Sequence, residues 1–177
     1  QGYVAKLSGY CKSEFTKLTD AARFALVLNL YNASVIDLIL KHYPLASIND
    51  IDDGSVKVFD KPILNLKWYA SKKVSLNALE NTIIRPDFKD PRIHFALVCA
   101  AKSCPRLSNK AYLPDVIDKQ LEAQTNKFFR DETQVSYSQN DKTISVSKIF
   151  EWYRKDFEIA SGSLKAYLYR ELTKVKK

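Results

Sequence analysis

His94 stands five residues before Cys99 and ten before Cys104, in the stretch DPRIHFALVCAAKSCP at 90–105. An imidazole beside a thiolate is the pairing used for acyl transfer and for amide or thioester hydrolysis. Two cysteines this close together can equally close a disulfide loop. A metal site would draw on His94, Cys99, Cys104 and Glu80, but neither cysteine pair has zinc-finger spacing, and no metal is expected.

Cys104 precedes Pro105, and proline is favoured at the first helical position. The pattern predicts an N-cap, with the sulfur facing unpaired N–H groups at the positive end of a helix dipole. Lys102 and Arg106 add positive charge. A thiolate is favoured there; a small capping residue, or half of a disulfide with Cys99, fits the same letters. Cys99 on its own reads as a buried thiol, and Cys11 as packing.

His94 is either a satisfied core group or a general base toward Cys104. A histidine upstream of its cysteine reverses the papain-like order and suits a permuted arrangement. Glu80 shares a helical side with Leu76, Leu79 and Ile83. A carboxylate at the margin of an apolar stripe needs a partner. Arg85 or Arg92 can supply it, or Glu80 can orient His94. Asn29 and Asn32 lie three apart on one face of an otherwise apolar helix. They line a pocket or brace the loop at 99–106.

The elements that must position these groups are mostly helical. Residues 3–18 read as a short amphipathic helix. Thr19 caps a helix from Asp20 to about His42 that is apolar nearly all round, hence buried, and Pro44 stops it. Val56–Phe59 and Ile63–Tyr69 suggest a loose hairpin. Ser75 opens a helix that Arg85–Pro86 closes. Pro91 starts a strand through Cys99, apolar on both faces and therefore central. Pro114 begins a long amphipathic helix. Val135–Ser138 and Thr143–Val146 form a hairpin. Helices from Lys148 and from Ser163 finish the chain. In KIFEWYRKDF (148–157) the aromatic spacing reads as core rather than as a recognition surface.

The 177 residues suit one domain, and 46% hydrophobic with 27% charged residues suits a globular one. No apolar run reaches the roughly 18 residues of a membrane span without a charge or amide inside it. Phe24 to Leu40, the nearest, contains Asn29, Asn32 and Asp37. The net charge of +8 comes from scattered lysines and arginines with acidic neighbours, and no nucleic-acid-binding motif appears. Nucleic acid is therefore not an expected partner. Three cysteines, an odd number, are no disulfide framework. With no methionine present, the first residue is not a translation start. A cleaved signal peptide, a trimmed chain or a tag scar each accounts for that; export is the expectation.

NLYNAS (29–34), SLNALENTIIR (75–85), DPRIHFALVCAAKSCPRL (90–107) and KIFEWYRKDF (148–157) resemble, in order, the domain of unknown function 547 family. The resemblance is strongest over 20–160. Its signature positions here are Asn29, Tyr31, Asn32, Glu80, Arg85, Asp90, Pro91, Arg92, His94, Cys99, Ser103, Cys104 and Pro105. Leu26–Val27 stand where the family usually has Phe-Trp, a change of packing. The resemblance implies exported or lipid-anchored bacterial relatives, and plant relatives with an added leucine-zipper region. It implies no established activity. It does bind Glu80, His94 and both cysteines into one signature.

The expectations are these. The fold is α+β, a single domain over 1–177, mainly helical with a small mixed or antiparallel sheet, papain-like or transglutaminase-like in permuted form. Cys104 is the nucleophile, His94 the base and Glu80 the orienting carboxylate. Asn29, Asn32, Arg85, Arg92, Cys99 and Ser103 shape the pocket. The partner is a small molecule or peptide; no cofactor is involved. The alternative is a non-catalytic small-ligand or peptide-binding module. A third reading is an exported structural domain crosslinked at Cys99–Cys104. The expected location is periplasmic, secreted or anchored to the outer membrane, with any membrane anchor upstream of this chain.

Overall fold

Asp20–His42 (α3) is the longest element, and its beginning is set by one hydroxyl. Thr19 Oγ1 accepts from the Ala22 N–H at 3.2 Å, satisfying a donor the helix cannot. Two short helices precede it, Gly2–Ser8 (α1) and Lys12–Lys17 (α2), where a single amphipathic helix was expected; the chain turns between them at Gly9 and Tyr10. The computed structural model describes residues 2–52, 54–69, 73–138 and 140–175. It is mainly helical, with one two-stranded antiparallel sheet, so the α+β class holds. The chain forms two compact units: Gln1–Phe88 with Asn109–Ile117, and Lys89–Ser108 with Asp118–Lys177.

In the first unit α3 is the core helix. Val27, Leu28 and Leu30 are fully buried, together with Leu66, Leu76, Leu79 and Ile84 from later segments. By length and composition α3 could cross a membrane, but its central residues are sequestered within this unit. Asn29 Nδ2 donates to the Tyr112 carbonyl, and the Tyr112 N–H donates back to Asn29 Oδ1, each at 2.8 Å. The amide thus braces the loop at Tyr112. The hairpin expected over 56–69 is absent. Val58–Asp60 is a single 3-10 turn, and Leu64 instead bridges Val74.

Ser75 Oγ accepts from the Ala78 N–H at 3.0 Å and opens Leu76–Leu79 (α4). One turn of π-helix follows, Glu80–Ile84. Its cause is visible in the side chains. Asn81 Nδ2 donates to the Asn77 carbonyl at 2.9 Å and Thr82 Oγ1 to the Ala78 carbonyl at 2.6 Å. These are the acceptors an α-helical ladder would use for residues 81 and 82. The ladder slips, and the Arg85 N–H reaches Glu80 O, five residues back. The helix does not stop at Arg85–Pro86 but gains a last turn, Arg85–Phe88 (α5). Pro86 falls where a restarting helix needs no donor.

The second unit contains the largest departure from expectation. Residues 91–98 are not a central strand. The Ile93, His94 and Phe95 N–H groups donate to the Asp90, Pro91 and Arg92 carbonyls, and Ile93–Ala96 (α6) is a single helical turn. Asp90 Oδ1 accepts the Arg92 N–H at 2.9 Å and starts that turn. All four residues of α6 are buried, which removes the polar positions that separate helix from strand in a short apolar run. Phe95, fully buried, is ringed by Phe128, Phe129, Phe150, Phe157 and Tyr167. These come from Ile117–Arg130 (α7), Ile149–Trp152 (α8), Arg154–Ser161 (α9) and Leu164–Val175 (α10). The expected hairpin forms as Val135–Ser138 (β1) and Thr143–Val146 (β2); Gln139 at its turn lies outside the described residues.

Asn29→Ala strands the Tyr112 N–H and carbonyl together. The expected cost is about 1–3 kcal/mol, with Asn29→Asp between it and the parent because the acceptor survives. Urea unfolding of the three proteins measures this.

Candidate functional site

Cys99 and Cys104 are joined as a disulfide, with Cα atoms 5.9 Å apart. The crosslink closes a loop that its surroundings hold by the backbone. Ser147 Oγ donates to the Ser103 carbonyl at 2.7 Å. Gln134 Nε2 donates to the Lys102 carbonyl at 2.9 Å, and Gln124 Nε2 to the Arg106 carbonyl at 3.0 Å. Within the loop the Cys104 N–H donates to the Ala101 carbonyl at 3.0 Å, and Ala100 takes a left-handed φ of 56°. A non-glycine residue there costs energy that a covalent closure can hold in place.

No helix begins at Pro105, so Cys104 is not the N-cap that was expected. Cys104 is buried, and its sulfur is bonded rather than ionisable. In this form it is no nucleophile, and Cys99 is not the isolated thiol expected. Among the described residues the free cysteine is Cys11, exposed at the start of α2.

His94 has a different partner from any the sequence suggested. Its Nε2 lies 2.8 Å from Asp156 Oδ2. The carboxylate accepts, so Nε2 carries a proton in this bond. Tyr153 stacks on the imidazole with centroids 3.8 Å apart and planes at 20°, and Phe157 closes a second side at 5.4 Å. Tyr153, Asp156 and Phe157 are spaced i, i+3 and i+4, so one helical face presents ring, carboxylate and ring together. The side chain of His94 is 1% exposed. An imidazole held by a carboxylate can orient or move a proton, but aromatic rings cover this one.

Arg92 meets Asp90 and Asp118. Its Nε and Nη2 grip both oxygens of Asp90, and Nη2 also reaches Asp118 Oδ1 at 2.7 Å. Hydrogen bonding to Asp90 holds the guanidinium well above its ordinary value. Arg85 Nη1 donates to Asn81 Oδ1 on its own helix. Ser103 contributes its carbonyl to the clamp by Ser147. Glu80 is buried, not marginal, and sits with Asn29 and Asn32 in the first unit, whereas His94, Arg92, Cys99, Ser103 and Cys104 belong to the second.

Asp131 ties the far end of the loop. The Thr133 hydroxyl, then the Thr133 N–H and the Arg106 guanidinium, hold its carboxyl below the ordinary carboxylate range. Arg106 Nε donates to it at 2.8 Å. Among the described residues no cluster of histidine, cysteine and carboxylate forms a metal site.

Sequence reasoning missed Asp156, Tyr153, Gln124, Gln134 and Ser147. The first two were within reach: KIFEWYRKDF places a carboxylate and an aromatic ring on one helical face. Nothing local distinguishes the two glutamines from solvated ones. Asp156→Ala removes the acceptor from a buried N–H and is expected to cost about 1–3 kcal/mol. The double variant His94→Phe/Asp156→Leu removes both polar partners and should recover most of that loss. Thermal unfolding of the two variants decides whether the pair acts as packing.

No curated protein and no solved structure matches the chain. A family model does, over residues 15–129, and it spans the amide clasp, the π-turn, the histidine and both cysteines. With that match covering most of its length, the chain belongs to the family described as protein of unknown function, DUF547.

Proposed function

We propose that this domain is a non-catalytic interaction module, binding a peptide or small ligand, and that Cys99–Cys104 serves as a structural crosslink. The observation that carries the reading is the disulfide itself, which occupies the only sulfur that His94 was expected to activate. The environment of His94 supports it. The imidazole is committed to Asp156 and covered by Tyr153, so it serves packing and orientation within the fold. A crosslink of this kind persists in oxidising compartments, which supports a periplasmic or secreted location.

Thiol labelling with iodoacetamide, read by mass, tests this. Without reductant one label is expected, on Cys11; after reduction and unfolding, three. Three labels without reductant, with Cys104 reacting faster than an ordinary thiol at neutral pH, would restore the nucleophile and sink the module reading. Cys99→Ser/Cys104→Ser should lower stability by about 2 kcal/mol, the chain-entropy expectation for so short a loop.

A further inference from the structure

The hairpin has two faces of opposite chemistry. Its register pairs Val135 with Val146 and Tyr137 with Ile144, and Ser136 with Ser145 and Ser138 with Thr143. Opposed residues point to the same side of a sheet, and neighbours along a strand to opposite sides. One face therefore carries Val135, Tyr137, Ile144 and Val146, and the other only serine and threonine. Only Val135 of the apolar face is buried in the aromatic cluster; Tyr137, Ile144 and Val146 are 51%, 47% and 37% exposed.

Three residues of that face, Val135, Tyr137 and Ile144, line a groove of about 670 Å³ together with Phe129 and with Tyr169 and Leu172 of α10, and Arg130, Glu132 and Ser136 add polar groups to it. The volume lies in the range of ligand sites.

The edge of β2 specifies the shape of what fits. The Ser147 N–H donates to the Gln134 carbonyl at 2.8 Å, one step beyond the Val135–Val146 pair. Hydrogen-bonded pairs alternate in an antiparallel ladder, so 136/145 and 138/143 bond inward. The main-chain N–H and C=O groups of Ile144 and Val146 then point away from β1. Among the described residues no third strand takes them, and all of β2 is exposed.

We propose that β2 and the adjoining groove bind a short extended peptide, which adds as a third strand and turns its alternate, apolar side chains toward Tyr137, Ile144 and Tyr169. The proposal rests on the reading of the domain as an interaction module and names its ligand class. Main-chain groups on an open edge recognise an extended backbone, and the apolar face selects every second side chain. A second copy of the chain is the competing occupant. A four-residue edge is only about 13 Å long. Two such edges cover far less than the about 800 Å² per partner of a stable pair.

The test uses the whole chain and a blocked, fluorescein-labelled pentapeptide alternating threonine and valine, followed by fluorescence polarisation. Saturable binding is expected. Ile144→Pro deletes an outward N–H and leaves the inward ladder, and should weaken binding about tenfold, the value of one main-chain hydrogen bond. Backbone N-methylation of the peptide should weaken it likewise with the protein unaltered, so the test survives a variant that fails to fold. No saturable binding, or binding indifferent to both changes, overturns the proposal. So does self-association that Ile144→Pro abolishes, which would give the edge to a second copy. Thiol labelling reports on the interaction-module reading separately, so either can fail alone.

Discussion

The bond between Cys99 and Cys104 governs the second unit because it fixes a segment that no regular element contains. A loop of this kind cannot satisfy all of its carbonyls internally. The unit supplies donors instead from side chains 18 to 44 residues away: Gln124 on α7, Gln134 before the hairpin and Ser147 after it. Each of those donors is useful only if the loop stays in one conformation. Without the crosslink, three side chains would have to hold a mobile backbone, and each would lose entropy for an acceptor that moves. With it, the closure entropy is met in advance. The same glutamine, Gln124, lies 3.4 Å from the Phe95 carbonyl, so the pinned loop and the aromatic cluster share a support.

The elements legible in the sequence were those with a local physical signal. Thr19 and Ser75 cap the helices they were expected to cap, because a hydroxyl beside an apolar helical run has few other uses. The hairpin followed from strict alternation around a polar turn. The stretch 91–98 was misread because alternation carries information only when one face is polar. Ile93, Phe95 and Leu97 on one side and Ala96 and Val98 on the other satisfy a buried helix and a central strand equally. The deciding letters were Asp90 and Pro91, a turn-initiating pair that was read as a strand start. Cys104–Pro105 failed for a related reason. Proline suits a first helical turn, but it also suits an extended segment, and the residues after Arg106 lack the apolar period that would sustain a helix.

The candidate site was legible as a set of residues and not as an arrangement. His94, both cysteines, Arg92 and Asn29 all engage in specific polar or covalent contacts, as titratable groups in apolar sequence must. The Cys99–Cys104 pairing was among the readings the spacing offered, whereas the partners of His94, Arg92 and Asn29 were not legible, because partner choice is a long-range property. His94 meets a carboxylate 62 residues away rather than a sulfur ten residues away. Arg92 finds Asp90 and Asp118, two carboxylates for one guanidinium, which together balance a half-buried charge.

The hairpin shows how an incomplete structure can be stable. Two strands alone are marginal in water, and this pair survives because Val135 is anchored among Phe129, Phe150 and their neighbours. That anchor secures one end of one strand. The apolar residues further along, Tyr137 and Ile144, face a groove they do not fill. Exposed valine, isoleucine and tyrosine on an open edge are groups that favour pairing with another strand. The opposite face of the same strands carries only serine and threonine, so hydroxyls were compatible with this backbone at every other position. Apolar side chains are thus segregated onto the groove side, and neither strand carries the lysine or proline that commonly guards an edge.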